Sequence, residues 1–504
     1  MYQATPPDPS SVVDKTCSNS QMVIYATGEC ANSLVMNGIF GFAMLFYTKA
    51  LGLDPTWAGV AMSVSVFWEA VSEPVMGHIS DNTRSRYGRR HPYMLAGGLL
   101  MALCSYLIWA VPASLRSNPT AIFCYLVTMN LVLRTGLTMF FIPYMALGFE
   151  ICTDYQGRSR LQGLRSIFNM AANFAGPAMA WTFFFQDKDG LQATTVAGNY
   201  LRMGTVFAVV TALFVLLVVA ATFHWREDTR RMPRHADHGS FFLDMKQILL
   251  DPFPRWVFVF IFVVCVGMVL VSSLQMYVYD DFMGFPAGQK SIAHGGTMIG
   301  FAIGAALSVG LSKRLDKKGA VLIGGLISVV CNAMLAVLFL TGWVPRDAVW
   351  HAGAVSIPSA LILFVIFHAA YWMGNGILLP IANAMMADVS EIHLLQTGEN
   401  KDGGYSSVFS LAMRMAISFS LIVSGYCLSA VGYRVPQGSE AVTQSPEAVW
   451  RVGLLTFVVG AVIATAAMGA IALYPVTRKL VETLRAEKDQ RSAIERAPES
   501  RTLC

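Results

Sequence analysis

Two glutamates, Glu69 and Glu73, stand four residues apart in the otherwise apolar stretch VSVFWEAVSEPVMG (64–77). On a helix that spacing is about one turn, so both carboxylates share a face, with Ser72 beside them. A carboxylate in a membrane-crossing segment costs roughly 2.5–3.5 kcal/mol at the bilayer centre. A second one on the same face repels the first unless a proton or a metal cation lies between them. Oxygen ligands of this kind suit a hard cation such as Na⁺, and the pair equally suits a shared proton. The structural alternative is that arginines hold both glutamates inside a helix bundle. Arg414 lies within the apolar SLAMRMAISFS (410–420), and a buried arginine needs a partner, which the bundle interior would supply. Arg134, in another apolar run, has a further option: its charged head can reach the outer interface while its stem stays in apolar surroundings.

Other polar residues interrupt apolar sequence. Glu29, Asn32, Ser33 and Asn37 give the first apolar segment a polar face, as a site for a hydroxyl-bearing solute requires. Tyr144, Tyr371, Trp372 and Asn375 could add an aromatic platform and an amide, although aromatics at helical spacing also read as packing. The charged run SDNTRSRYGRR (80–90) holds Asp81, Arg84, Arg86, Arg89 and Arg90. It reads as a positive membrane anchor. It also reads as a gate, in which Asp81, through an arginine or with the carboxylates Asp154, Asp388 and Glu391 of other loops, ties two halves of the protein together.

Long apolar helices must position these groups. Of 504 residues, 55% are hydrophobic and 13% charged, against about 25% charged in soluble proteins. This is the composition of a helical integral membrane protein. The net charge of +5 comes from basic residues in short loops, so nucleic acid is excluded as a partner. The first twenty residues lack the apolar core of a secretory signal. The nine cysteines form no CxxC or Cys/His cluster, and neither redox nor metal chemistry is indicated.

Hydropathy predicts an all-α protein of twelve spans, near 21–48, 57–79, 92–112, 121–149, 163–185, 200–223, 254–280, 291–312, 319–341, 358–386, 404–432 and 450–474. The organisation expected is a polar tail (1–20), a six-helix half (21–223), a basic linker (224–253), a second six-helix half (254–474) and a cationic tail (475–504). Lysines and arginines crowd the loops that place both termini in the cytoplasm of an inner-membrane protein. The loop GHISDNTRSRYGRR (77–90) is echoed by GLSKRLDKKG (310–319) at the equivalent place in the second half.

The first of these loops resembles the signature loop of the major facilitator superfamily. Its DNTRSR and GRR wording is similar to the glycoside–pentoside–hexuronide:cation symporters, the family of melibiose permease. Residues 25–53, 141–165 and 385–414 are similar to the family's first helix, its helix IV–V junction and its helix X–XI stretch. The resemblance implies that the family's cation-binding acids fall on Glu69 and Glu73, with Thr138 as a hydroxyl contributor and Ser72 where the family has asparagine. It also implies that Arg414 replaces a helix XI lysine near that site, with Glu69 or Glu73 as its counter-ion, and that Arg165 lies near the sugar. The sugar-binding acids of melibiose permease fall on Ser33 and Phe141, and its platform tryptophans near Met145 and Leu379. The cavity is thus expected to be more apolar than a galactoside carrier's.

No Walker loop, nucleotide fold or catalytic triad occurs, which disfavours an enzyme or an ATP-driven pump. The expected function is cation-coupled symport of a glycoside, oligosaccharide or related organic solute by alternating access. The alternatives are a carrier of lysolipids or other amphiphiles and a non-transporting membrane sensor. The expected protein is a monomer among membrane lipids, with no cofactor beyond a coupling H⁺ or Na⁺.

Overall fold

The computed structural model describes residues 18–151, 155–185, 192–226, 248, 254–352, 355–397, 402–436, 442–476, 478, 480 and 482–487. Most of the expected tails (1–20 and 475–504), and most of the linker, lie outside the described residues. Helices dominate: α1 (19–50), α2 (Pro55–Asn82), α3 (His91–Leu107), α4 (Pro119–Ile151), α5 (155–184) and α6 (Ala197–Trp225), then α7 (Arg255–Phe282), α8 (287–315), α9 (317–340), α10 (Ser359–Thr397), α11 (Asp402–Ala430) and α12 (Pro446–Ala472). One departure from the all-α expectation is a short antiparallel hairpin, β1 (Trp350–Ala352) with β2 (Val355–Ile357), between α9 and α10.

Seven described helices are long and apolar enough to cross a membrane; one of them, Ala287–Leu340, comprises α8 and α9. The rods that fall short include α1, α2 and α5, which carry Glu29, Glu69, Glu73 and Arg165. The polar groups that make these helices useful also lower their hydropathy. Apolar side chains such as Leu103, Leu213, Val309, Leu326 and Val462 are more than half exposed, the surface expected of a bundle bathed in lipid.

Local chemistry sets the helix ends. Asp54 caps α2, its carboxylate accepting from the backbone N–H of Thr56 at 2.8 Å, with Pro55 in the first turn. The repeated charged loops both need left-handed backbone: Gly88 at φ 82° in the first and Asp316 at φ 62° in the second. Asp316 accepts from the N–H of Lys317 at 2.6 Å, a local bond that eases an unusual conformation for a residue with a Cβ. The α10 helix runs to Thr397, past the end expected at 386, so Asp388 and Glu391 sit on a helix rather than in a loop.

Small residues bring the rods close. A Cβ at Gly300 or Gly304 of α8 would stand 2.0 Å from the Ala369 carbonyl or 1.9 Å from the Met373 carbonyl of α10. The α2 and α11 helices cross in the same manner. A Cβ at Gly59 would meet the Leu421 carbonyl at 2.4 Å, and the Ser63 and Ser418 hydroxyls lie 2.7 Å apart. Since α2 and α11 run antiparallel through this seam, the next turns bring Arg414 opposite Glu69 and Glu73.

Candidate transport site

Two acids and two arginines meet where α2, α4 and α11 touch. Arg134 of α4 donates from Nη1 to Glu69 Oε2 at 2.5 Å, and both side chains are 1% exposed. Arg414 of α11 lies 2.9 Å from the same oxygen and donates to Glu73 Oε1 at 2.5 Å. Glu73 and Arg414 are the more open members, at 17% and 23% side-chain exposure. Ser72 and Thr138 hydroxyls lie 3.2 Å apart beside them. Pro74, directly after Glu73, removes one backbone donor from α2 at this depth.

The cluster is charge-balanced, and Arg134 is buried inside it. The outer-interface option for Arg134 is therefore corrected: its guanidinium lies near Phe40 of α1 (5.2 Å to the ring centroid) and is held by Glu69. A buried arginine with a carboxylate in reach gains more from pairing than from a longer route to water.

A second polar group lies between α1 and α5. Arg165 Nε donates to Glu29 Oε1 at 2.8 Å, with Nη2 on the same oxygen, and the pair is buried. Further along the same two helices, Asn169 Nδ2 donates to Ser33 Oγ at 2.8 Å and Asn173 Nδ2 to Asn169 Oδ1 at 3.0 Å. Asn37 Nδ2 in turn donates to Asn173 and to the Ser33 carbonyl. Asn32 is half-buried on the same helix. Sequence reasoning missed Asn169 and Asn173, yet their signal was present: Arg165, Asn169 and Asn173 recur every four residues and so form one stripe of α5.

Other candidates sit elsewhere. The Tyr144 ring stacks on Tyr25 at 4.5 Å, and each ring fits over a glycine, Gly28 or Gly148, of the facing helix. Tyr144 packs α1 against α4, with Arg165 over its ring at 5.1 Å and Phe141 beside it at 6.2 Å. Trp372 donates to Gln275 Oε1 at 3.2 Å, and Asn375 to the Tyr371 carbonyl at 3.0 Å and Ser328 Oγ at 3.3 Å. The polar bonds of these two residues stay within α7, α9 and α10. The structure does not join them to the Glu29–Arg165 group.

The gate residues pair locally. Asp81 is 2.6 Å from Arg90, which with Arg89 holds Glu150 at the end of α4, at 3.0 and 2.7 Å. Glu150 was not among the expected residues. Arg84 is exposed, and Asp154 lies outside the described residues. Lys317 holds Asp388 at 2.5 Å, and Arg485 clasps Glu391 at 2.6 and 2.7 Å. These pairs each join parts of the first six rods or parts of the last six.

Residues 24–478 match the family model for MFS/sugar transport proteins. The chain is 23% identical to a glucuronide carrier protein homolog of Escherichia coli, over 94% of this chain and 96% of the relative. It is 22% identical to the sodium-dependent lysophosphatidylcholine symporter 1-A of Danio rerio, over 82% and 78%. Among solved structures, a D-xylose-proton symporter covers 90% of this chain and 98% of its own, with a TM-score of 0.62 at 13% identity, a likeness of fold. The chain is a multi-pass membrane transporter with the major facilitator fold, and it belongs to the glycoside–pentoside–hexuronide:cation symporters of that superfamily.

Proposed function

We propose that the protein moves a glycoside, oligosaccharide or related small organic solute together with a cation, by alternating access between its first six and last six helices. It would sit in the inner cell membrane with both termini in the cytoplasm. The observation that carries this reading is Arg414, which reaches from α11 to both carboxylates of α2. Because two guanidiniums already balance two carboxylates, an incoming cation has to displace one of them. Displacing Arg414 from Glu73 loosens a link between the two halves, so loading and movement are coupled at one bond.

A proton suits this exchange better than Na⁺. It needs only one carboxylate oxygen, and Glu73 is the more open acid. A hard metal ion needs several oxygens at once. Here both carboxylates face guanidinium N–H groups, and the Ser72 and Thr138 hydroxyls face each other. Glu29, Ser33, Asn37, Asn169, Asn173 and Arg165 would offer the solute donors and acceptors. By linkage, whatever factor the proton adds to solute affinity, the solute adds to proton affinity.

An amphiphilic solute is the second reading. The apolar Met145, whose sulfur contacts Arg165, and Phe141 favour it, as does the likeness to a lysophosphatidylcholine symporter. Proteoliposomes decide between them. Uptake of a p-nitrophenyl glucuronide, a pentose disaccharide and lysophosphatidylcholine is measured under an imposed pH gradient, with and without Na⁺. Acid-driven, Na⁺-independent uptake of a sugar is expected. Uptake that follows the Na⁺ gradient alone overturns the proton assignment, and no gradient-driven uptake of any probe overturns the transport reading.

A further inference from the structure

At the end of the bundle opposite Asp81, four buried charges meet. Lys49, in the last turn of α1, reaches both Asp280 and Asp281 of α7, the latter at 2.7 Å. Lys290 of α8 holds the other oxygen of Asp280. None of the four side chains is more than 8% exposed. Thr194, just before α6, donates to Asp280 Oδ2 at 2.5 Å, and Tyr433, just after α11, donates to Asp281 Oδ2 at 2.7 Å. Lys49 and Thr194 belong to the first six rods, and the other four residues to the last six.

Neighbouring contacts cross the same seam. The Thr48 and Tyr277 hydroxyls lie 2.7 Å apart, Thr182 and Ser291 3.1 Å apart, and Lys290 Nζ stands 4.9 Å from the centre of the Trp181 ring. Several carriers of these contacts share a second feature. Lys49, Asp280, Asp281, Trp181 and Thr182 all lie in π-helical turns, Phe46–Ala50, Val278–Phe282 and Ala180–Phe184. Such turns hold one residue more than an α-helical turn and cluster at functional sites. Rewinding one to α geometry rotates its side chains away from their partners. A cavity of about 620 Å³, lined by Trp181, Phe185, Asp280, Phe285 and Lys290, abuts the cluster and gives it a route to water.

We propose that Lys49, Asp280, Asp281 and Lys290 form the lock that closes this end of the transporter, and that breaking it lets the two halves part here. The lock rests on the alternating-access reading above. Like the central cluster it needs no bound cation, since its own lysines supply the positive charge, but it lies at one end of the bundle.

The test is hydrogen–deuterium exchange by mass spectrometry on the full-length protein in lipid nanodiscs, with no solute added. In Lys49→Ala, amides in 46–52 and 278–291 should exchange about tenfold faster, because this end opens locally. Amides around 80–90 and 311–318 should slow as the opposite end closes. Tyr433→Phe, which removes one hydrogen bond and no charge, should shift both regions the same way by less. Lys49→Arg should restore the wild-type pattern. Unchanged exchange at either end, or faster exchange throughout the bundle in Lys49→Ala and Tyr433→Phe alike, overturns the proposal. Proteoliposome uptake, read separately, shows whether the transport reading itself has failed.

Discussion

Arg414 Nη2 stands 2.5 Å from Glu73 Oε1, joining residues 341 positions apart in the chain. The pair is the exposed edge of a cluster whose other edge, Glu69 with Arg134, is sealed from solvent. A charge-balanced cluster with one open edge can exchange a proton there without dismantling its core.

Glu73→Gln should therefore abolish uphill accumulation while leaving solute exchange down a gradient intact. The amide keeps the shape but cannot take up and release a proton. The check compares acid-driven uptake with solute counterflow in the same proteoliposomes; equal losses in both would place Glu73 in solute binding instead.

Arg134→Met leaves Glu69 facing Arg414 alone, while Glu69→Gln leaves Arg134 charged and short of its partner. Breaking a buried pair from one side typically costs about 3–5 kcal/mol. Thermal denaturation in detergent should show large drops for both single variants. The double variant Glu69→Gln/Arg134→Met should recover part of the loss, because no lone charge is left on that side. Strict additivity would mean that the two side chains do not interact.

Arg165→Lys should weaken solute binding more than coupling. A lysine keeps the charge but cannot place two N–H groups on Glu29 as Arg165 does. The expected reading is a KM raised about tenfold, in line with loss of a charge-assisted hydrogen bond, with the dependence on the pH gradient retained.

Gly304→Ala should destabilise the last six helices. The added methyl would start 1.9 Å from the Met373 carbonyl, and backbone cannot swing aside as a side chain can. Overpacking of this kind costs about 1–3 kcal/mol. Gly310→Ala, with nothing within 4 Å, serves as the control in the same melting series.

Much of this protein could be read directly from the chain. Glu69, Ser72 and Glu73 share a helix face because four residues make one turn, and Arg414 was legible as a charge in need of a partner because an apolar helix cannot keep a bare guanidinium; the family resemblance pointed it at the two glutamates. The stripe Arg165, Asn169 and Asn173 was equally local, although only its first member was singled out. Hydropathy located the rods to within a few residues, apart from α5, whose polar beginning at 155 precedes the apolar run, and α10, whose amphipathic end carries Asp388 and Glu391 beyond it.

Choice of partner was a different matter. Sequence composition told that Arg134, Asp81, Lys49 and Asp280 were charged and roughly at what depth they lay, but not what stood opposite them. Each had several oppositely charged residues at a similar depth. The crossing of α2 with α4 and α11 selected Glu69 for Arg134, and the loop turning at Gly88 folded Arg90 back onto Asp81. The meeting of α1 with α7 put Lys49 between two aspartates. Periodicity along one helix is a local property and survives in the sequence. Which faces of different helices meet depends on packing across the whole bundle, and only the tertiary structure decided it.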